Sequence, residues 1–414
     1  MKPTYRPDRP DRGDRPDRGD RPASPRRAPA DDPHAQPLPE TDLPIYHAKT
    51  LAGLESLVEA ELRNHGAEIL RVGRRGIDFG ADMETLFRVC MCSRFALRIL
   101  RPILQFEAQD AQDLYEQATQ WDWLSVMEAK STFAIDATVY SDLFTHSQFA
   151  TLRLKDAIAD HFRAIGGIRP SVDRERPDVR IHLHISGAQV TVSLDAAGEP
   201  LSRRGYRPAK APAPLNEVLA AGLLALAGWR PGIPLYDPMC GSGTFATEAA
   251  LWCDGYPVNW HRRRYAFMNW RGYDEDAFFD IRAQLKARVV AVPTPIFASD
   301  KDYGAISMTR QSLVNMEVED HVELGRADFF KLTPRTESGI VVLNPPYGER
   351  MEVEDLALLY QSIGDRLKST WKGFDAWIIS SDLDALKHVG LKHHDRTTVY
   401  NGPLECRWQG YAMR

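Results

Sequence analysis

Paired cysteines and long apolar runs are both lacking in this sequence of 414 residues. Its five cysteines are scattered and form no C-x-x-C pair, which excludes a zinc finger, a thioredoxin-type dithiol and a disulfide-rich scaffold. The longest apolar run, residues 218–229, has about half of the ~20 residues that a membrane-spanning helix needs. The N-terminus is polar and carries no secretory signal, so we expect a cytoplasmic protein in a reducing compartment, without membrane contact.

An excess of positive charge is also missing. The chain has 52 lysines and arginines against 57 aspartates and glutamates, a formal net charge of −5. A nucleic-acid partner would therefore have to bind a local basic patch rather than a basic protein as a whole. Residues 1–43 are rich in proline, arginine and aspartate and have almost no apolar side chains, which predicts a disordered tail.

Two small α+β modules are predicted after this tail. Residues 44–105 read as strand, helix, strand, helix and strand, the order of a ferredoxin-like unit. Residues 106–200 form a second module of helices and strands, and within it residues 179–195 alternate apolar and polar side chains as a strand, turn and strand.

A basic linker follows at residues 201–214. It contains four cations and no acidic residue, and its prolines and alanines are typical of a connection between domains. We expect these cations to contact RNA, because they join the two parts of the chain: Arg203, Arg204, Arg207 and Lys210.

Longer helices alternate with short apolar strands from residue 215 to the end at residue 414. This alternation predicts an α/β fold with a doubly wound, mostly parallel sheet, a Rossmann-like domain. The complete fold class is thus a Rossmann-like α/β domain preceded by two α+β modules.

A glycine loop follows the first strand of that domain. The strand ends at Asp237, Gly241 and Gly243 follow, and a helix opens at Thr244. The loop lets a ligand approach the backbone at the carboxyl end of the strand. A complete dinucleotide fingerprint would need glycine at Ala246, and the Gly-Lys-Ser/Thr of a P-loop is absent.

The carboxylate of Asp237 suits a cationic ligand better than a pyrophosphate. S-adenosylmethionine carries an ammonium and a sulfonium, so the charges favour this cofactor. Two more acids end the next two strands, where Asp300 can accept the ribose hydroxyls and Asp328 can accept the adenine amino group. Asp274 competes with Asp300 for that role, but the polar segment before it lacks a clean strand.

The fourth strand ends in Asn344-Pro345-Pro346-Tyr347. An exocyclic amino group on a base is a poor nucleophile, because its lone pair is delocalised into the ring. The side-chain oxygen of Asn344 and the carbonyl of Pro345 can accept its two protons, and consecutive prolines fix the direction of that carbonyl. Tyr347 offers an aromatic face to a base that has left its stack. The pattern therefore predicts methyl transfer to an amino nitrogen.

These motifs resemble those of the THUMP-containing RNA guanine-N2 methyltransferases, over about residues 44–414. The segments of the catalytic domain that carry the resemblance are residues 237–250, 344–351 and 400–407. Those that resemble the THUMP module are residues 147–162, 176–185 and 201–207. Within the family the chain is most similar to the bacterial 23S rRNA enzymes in their single-activity form.

The resemblance implies S-adenosylmethionine as methyl donor, the N2 amino group of a guanine as acceptor, and 23S rRNA as substrate before full ribosome assembly. It implies no metal. The cofactor site that it implies consists of Asp237, Pro238, Cys240, Gly241, Gly243, Thr244, Asp300, Asp328 and Asn344. The residues that would hold the guanine are Asn344, Pro345, Pro346 and Tyr347.

Several alternatives stay open. A tRNA guanine-N2 methyltransferase would have the same architecture, and Asn-Pro-Pro-Tyr also serves adenine-N6 and glutamine-amide methylation. A non-catalytic RNA-binding or ribosome-assembly factor is the alternative from another class. We interpret Cys240 as a small loop residue rather than a nucleophile. The arginines at residues 262–264 either face RNA or form a solvated surface.

Overall fold

The computed structural model describes residues 36–208, 215–346 and 353–414. Most of the predicted tail, together with Lys210 and Tyr347, lies outside these residues. In the described part of the chain, no helix combines the length and the apolar character needed to cross a membrane.

The first half of the chain alternates strands and helices, as the sequence predicts. Its elements are β1 (Ile45–Lys49), α1 (Glu55–Asn64), β2 (Glu68–Gly73), β3 (Gly76–Gly80), α2 (Met83–Cys92), β4 (Arg98–Glu107), α3 (Ala111–Gln120), β5 (Thr132–Tyr140), α4 (Ser147–Gly166), β6 (Ser171–Val172), β7 (Val179–Ser186) and β8 (Gln189–Asp195).

The two predicted N-terminal modules share one sheet of eight strands, in the order β2-β3-β1-β4-β8-β7-β5-β6. Strand β4 joins them, because it pairs with β1 on one side and with β8 on the other, both antiparallel. A register shift between Pro102 and Leu104 bends β4 in the middle of its pairing with β8. The modules are therefore continuous with each other, whereas the sequence suggested two separate units.

The predicted alternation in β7 and β8 is confirmed. Ile181, Leu183 and Ile185 of β7 are buried in the core, together with Val190 and Val192 of β8. Burial of each aliphatic side chain is worth about 1.5–3 kcal/mol. This alternation therefore fixes which face of the sheet the helices cover.

The second half contains a sheet of seven strands. Its elements are α5 (Glu217–Leu226), β9 (Leu235–Asp237), α6 (Thr244–Asp254), α7 (Glu275–Ala287), β10 (Ile296–Asp300), α8 (Tyr303–Asn315), β11 (Val322–Arg326), β12 (Gly339–Leu343), α9 (Val353–Thr370), β13 (Phe374–Ser380), α10 (Leu383–Lys387), β14 (Asp395–Asn401) and β15 (Leu404–Ala412).

The strand order of this second sheet is β11-β10-β9-β12-β13-β15-β14. The first five strands are parallel, and β15 runs antiparallel to both of its neighbours. Side chains of α5, α6 and α8 cover one face of the sheet, and side chains of α9 and α10 cover the other. The predicted α/β fold class, with a Rossmann-like domain after the α+β modules, is confirmed. The chain reverses its direction of winding between β9 and β12, so a crevice opens at the carboxyl ends of these strands.

Residues 255–288 of the second half pack on the first half. The rings of Phe267 and Phe278 lie 4.9 and 5.4 Å from the ring of Phe87 in α2. The Phe267 amide donates to the carbonyl of Ala196, 2.9 Å away. Asp274 caps α7 by accepting from the Ala277 amide at 3.0 Å, so it does not end a strand. This segment therefore belongs to the junction between the two halves.

The predicted linker is closely packed where the structure describes it. The Arg204 side chain is fully buried and donates to the carbonyls of Leu201 and Arg94, each 2.7 Å away. Its guanidinium also lies 3.5 Å from the buried carboxylate of Glu248 in α6, which accepts from the Tyr206 hydroxyl at 3.0 Å. Arg204 thus connects the first half to the helix that follows the glycine loop.

We predict that Arg204→Met lowers the free energy of unfolding by roughly 3–5 kcal/mol, because it leaves Glu248 buried without its cation. Arg203 offers a matched control, since its side chain is 70% exposed. Arg203→Met should change the free energy of unfolding by less than about 0.5 kcal/mol. Urea denaturation followed by tryptophan fluorescence measures both, and equal losses would contradict a special role for the buried pair.

Candidate active site

The glycine loop connects β9 to α6 through two residues with positive φ. Gly241 has φ 56° and Gly243 has φ 77°, a left-handed conformation that glycine adopts without strain. A Cβ at residue 243 would overlap with Cγ2 of Thr309, whereas one at residue 241 would meet nothing within 4 Å. Gly243 is therefore required for packing, and Gly241 leaves the backbone open to a ligand.

Thr309 of α8 supports this loop from behind. Its hydroxyl donates to the carbonyl of Gly241 at 3.0 Å and lies 3.6 Å from the Cys240 sulfur. Thr309 is fully buried, so it has little freedom to leave this position. No motif in the sequence pointed to this threonine, because it lies 68 residues after Gly241 in an ordinary helix.

Cys240 is buried inside the loop. Burial and the neighbouring Asp237 raise the pKa of its thiol well above the usual value. A thiolate is the nucleophilic form of cysteine, so this residue is poorly suited to covalent catalysis. The structure favours the interpretation of Cys240 as a small packing residue.

Asp237 ends β9 and is almost fully buried. Among the described residues, no donor lies in hydrogen-bond geometry with either of its carboxylate oxygens. Burial, and next the charge of Asp300, raise the pKa of Asp237 from 3.8 to about 8, and the nearby Ala246 amide opposes them with a smaller effect. A buried carboxylate without donors is costly, and a cationic ligand group beside it would restore its ionised form.

Asp300 ends β10 beside the same loop. Its carboxylate accepts the amide of Gly241 at 3.0 Å and the amide of Asp302 at 2.9 Å. A carboxylate has about four acceptor positions, so Asp300 can still accept from a ligand. Asp328 follows β11, is half-buried, and accepts the amide of Phe330 at 3.1 Å.

Asn344 follows β12, the strand next to β9. Val341 pairs with Tyr236, so Asn344 lies two residues beyond the position opposite Asp237, roughly 7 Å further along the strand direction. The side-chain oxygen of Asn344 is buried, and no donor within the described ranges reaches it. Pro345 is buried and Pro346 is exposed. Buried acceptors on Asp237 and Asn344, which no donor in the described part of the chain reaches, therefore lie at the ends of adjacent strands.

The remaining loop residues complete this edge of the sheet. Pro238 and Thr244 are buried, and α6 begins at Thr244 with its free amides directed toward the loop. The described residues contain no group of three or more histidine, cysteine, aspartate or glutamate side chains placed to bind a metal.

The predicted RNA-binding arginines are not equivalent. Arg203 is exposed, and its nearest acid is Glu199 at 3.8 Å. Arg204 is buried against Glu248, so the expectation that it faces RNA is wrong. Arg207 is mostly covered, because it pairs with Glu217 at 2.6 Å and donates to the Leu215 carbonyl. A count of charges in the sequence could not distinguish the exposed arginine from the two that pair with acids.

We predict that Asp237→Asn removes a pH dependence of stability. The carboxyl keeps its proton in the folded protein up to about pH 8, whereas the unfolded chain releases it above pH 3.8. The wild type should therefore lose about 1.4 kcal/mol of stability per pH unit in this window, relative to Asp237→Asn. Thermal denaturation of the ligand-free proteins at pH 5 and pH 8 measures the difference.

The exposed Asp320 supplies the control. Asp320→Asn should follow the wild type at both pH values. If the curves of Asp237→Asn and the wild type remained parallel from pH 5 to pH 8, the raised pKa of Asp237 would be incorrect.

Comparisons with known proteins extend over nearly the whole described chain. Three family models match it: an RlmL ferredoxin-like domain at residues 46–100, a THUMP domain at residues 108–195, and an RMKL-like methyltransferase domain at residues 204–410. The methyltransferase match begins inside the predicted linker, at the buried Arg204.

Two sequence relatives illustrate the match. The ribosomal RNA large subunit methyltransferase K/L of Syntrophotalea carbinolica is 38% identical over 380 residues, which cover 88% of this chain and 53% of that protein. The putative RNA methyltransferase slr0064 of Synechocystis is 35% identical over 370 residues, which cover 89% of this chain and 96% of that protein. The chain thus spans about half the length of the K/L methyltransferases that it matches.

Solved structures of methyltransferases also superpose on most of this chain. A putative methyltransferase, SMU.472, complexed with SAH superposes with a TM-score of 0.80 at 25% identity, covering 89% of this chain and 98% of that one. A possible methylase from Clostridium difficile superposes with a TM-score of 0.80 at 28% identity and the same coverage. The resemblance to THUMP-containing methyltransferases found in the sequence is confirmed. The chain belongs to the RMKL-like methyltransferase family and carries that family's ferredoxin-like and THUMP modules.

Proposed function

We propose that this protein transfers a methyl group from S-adenosylmethionine to the exocyclic N2 amino group of a guanine in 23S rRNA. One observation carries the proposal: the buried oxygens of Asp237 and Asn344 have no donor among the described residues and lie at the ends of adjacent strands. The two carboxylate oxygens of Asp237 suit a cation, and the side-chain oxygen of Asn344 suits an amino group. The names of the relatives, which include rRNA large subunit methyltransferases, support RNA as the substrate.

The residues present fit S-adenosylmethionine, which supplies an electrophilic methyl group when it is bound. Asp237 would hold the positively charged methionine end, because its carboxylate is buried with a raised pKa and no donor among the described residues. The open backbone at Gly241 would let the ligand approach closely. Asp300 would accept the ribose hydroxyls, and Asp328 would accept the adenine amino group. A neighbouring structure bound to SAH supports this choice of cofactor.

Asn344 and Pro345 would orient the target amino group. The Asn344 side-chain oxygen is already desolvated, so it gains a strong hydrogen bond when an amino proton arrives. Pro345 lacks an amide proton, and its ring holds the backbone so that its carbonyl can accept the second proton. With both protons held, the nitrogen lone pair would be free to attack the methyl donor, S-adenosylhomocysteine would leave, and one amino proton would then pass to solvent. Orientation of the nitrogen would be the main contribution of these residues. Tyr347 would stack on the extruded guanine.

The N-terminal half would select the RNA. The match to the THUMP domain supports a role in RNA binding for residues 108–195, and the buried Arg204–Glu248 pair would hold this module at a fixed position relative to the catalytic domain. A guanine amino group that must leave its stack is easier to reach in RNA that is not fully assembled into the ribosome. We therefore propose an early substrate, before full assembly, and a cytoplasmic location.

The proposed function is tested with a protein-free 23S rRNA transcript, a tRNA transcript and S-adenosylmethionine. Calorimetry should detect binding of the cofactor, and mass spectrometry of nucleosides should detect N2-methylguanosine in the rRNA. Methylation of the tRNA alone would establish the tRNA alternative. Absence of cofactor binding would instead favour a non-catalytic assembly factor.

We predict that Asn344→Ala lowers kcat by about 100-fold or more, because it removes an acceptor that orients the reacting nitrogen. The affinity for S-adenosylmethionine should stay within a few fold of the wild type. Single-turnover methylation and calorimetry measure the two effects. Normal turnover of the variant would show that Asn344 does not hold the amino group.

Thr309 should determine how tightly the glycine loop binds the cofactor. Thr309→Val keeps the size of the side chain but leaves the Gly241 carbonyl without its donor, so we expect about 5- to 30-fold weaker binding of S-adenosylmethionine. Thr309→Ser keeps the hydroxyl and should bind within about three-fold of the wild type. If the serine variant were the weaker binder in calorimetry, the methyl group rather than the hydrogen bond would position the loop.

A further inference from the structure

Residues 400–407 form a hairpin turn at the same edge of the catalytic sheet as the candidate active site. Strand β14 ends at Asn401, β15 begins at Leu404, and these two residues pair with each other across a loop of two residues. Strand β15 runs antiparallel to β13, so its first residues lie where β13 ends. In the sheet, β13, β15 and β14 lie on the opposite side of β12 from the strands that carry the cofactor residues. The hairpin turn therefore lies on the side of Asn344 that faces away from the cofactor.

The strand registers place Leu404 beyond the predicted acceptors of the amino group. Strands β12 and β13 are parallel, so Ser380 lies level with Pro345, and Ser380 pairs with Arg407 of β15. Leu404 lies three residues before Arg407 and thus extends roughly 10 Å past Pro345 along the strand direction. It also lies two strands away from β12, roughly 10 Å across the sheet. This position suits the base stack beside a target nucleotide rather than the target base itself.

The tip of the hairpin turn is apolar and exposed. Gly402, Pro403 and Leu404 are all exposed, and Leu404 is 48% exposed. Gly402 has φ 62°, and the ring of Pro403 fixes its own φ, so the loop has little conformational freedom. An apolar side chain on such a loop is the kind of group that inserts between stacked bases.

Side chains of the two strands hold the hairpin turn in shape just below its tip. The Tyr400 hydroxyl donates to the carboxylate of Glu405 at 3.3 Å, and this carboxylate pairs with Arg407 at 3.1 Å. Arg407 also donates to the hydroxyl of Thr398. The exposed tip is thus connected to a firm base.

A residue of the first half of the chain supports the hairpin turn from the side. The guanidinium of Arg75, in the turn between β2 and β3, lies over the Tyr400 ring, 5.1 Å from its centroid. Arg75 has φ 63°, a left-handed conformation that is unfavourable for a residue with a Cβ. Its amide donates to Glu55 and its carbonyl accepts from the Thr50 amide, both at 2.9 Å. These two hydrogen bonds hold the strained backbone, and with it the position of the side chain on Tyr400.

We propose that Leu404 fills the space in the RNA base stack that the target guanine leaves, and that Arg75 is a positioning residue for the hairpin turn that carries Leu404. This inference rests on the proposed function, because it explains how the guanine of that reaction stays out of its stack. An extruded base can return as long as its place in the stack is empty. An apolar side chain occupies that place without burying an unpaired polar group.

The experiment uses a protein-free 23S rRNA transcript in which 2-aminopurine replaces the guanine that the wild type methylates. This base has an amino group at the same ring position as guanine, and its fluorescence rises when it leaves the stack. The wild type should produce this rise on binding. Leu404→Ala should reduce the rise about three-fold and should lower the single-turnover rate on the unmodified transcript about 10-fold, because the base then returns to its stack.

Val314→Ala is the matched control. Val314 is 46% exposed near the end of α8, at the opposite edge of the same sheet. This variant should equal the wild type in both measurements. Affinity for S-adenosylmethionine, measured by calorimetry, should be the same in the wild type and in both variants and shows that each remains folded.

Arg75→Gly separates positioning from folding. Glycine adopts φ 63° without strain, so this variant should keep the thermal stability of the wild type. We expect its single-turnover rate and its fluorescence rise to fall about five-fold, because the hairpin turn loses its lateral support. Arg75→Lys keeps a cation over the Tyr400 ring and should recover most of both.

The outcomes distinguish this inference from the proposed function. A full fluorescence rise with Leu404→Ala would overturn the role of Leu404, and a wild-type rate with Arg75→Gly would overturn the role of Arg75. In both cases N2-methylguanosine made by the wild type would leave the proposed function intact. Wild-type protein that methylates no guanine in the transcript would contradict the proposed function, and this inference with it.

Discussion

The structure of the site depends on one buried carboxylate that has no hydrogen-bond donor among the described residues. Asp237 has its position because β9 ends there, and no donor among the described residues lies in good hydrogen-bond geometry with its carboxylate oxygens. Nearby groups are engaged with each other instead: Asp300 holds the amide of Gly241, and Thr309 holds its carbonyl. The glycine loop thus has its conformation before any ligand binds. The buried carboxylate of Asp237 lowers the free energy of unfolding of the ligand-free protein. A cation that enters recovers this free energy as affinity.

A second constraint fixes the position of the first half of the chain relative to the second half. The first half of the chain contacts the second through buried polar groups as well as through an aromatic cluster, and Arg204 reaches the carbonyl of Arg94 and the carboxylate of Glu248 together. Such contacts hold only in one geometry, because each buried charge is costly when it is separated from its partner. The first half of the chain therefore has a defined position relative to α6, the helix that begins at the glycine loop.

Much of the site could be predicted because its residues are local in sequence. Asp237 ends one short apolar strand and Asn344 follows another, and a parallel sheet brings such ends to one edge. Contacts between distant segments could not be predicted in this way. Thr309 has an unremarkable helical setting in the sequence, and the pairing of β4 with both β1 and β8 depends on long-range contacts. The expectation that Arg204 contacts RNA was wrong for a related reason. The sequence gives the charge of a side chain but not its burial.

The shared strand β4 also bears on which pieces of this protein can exist alone. It runs from Arg98 to Glu107, so a cut between the two N-terminal modules would pass through it or leave it on one side. Whichever piece lost β4 would expose a full row of unpaired amides and carbonyls along β1 or β8. Open strand edges of this kind recruit other chains and promote aggregation. The ferredoxin-like and THUMP modules are consequently expected to fold and unfold together, as a single cooperative unit.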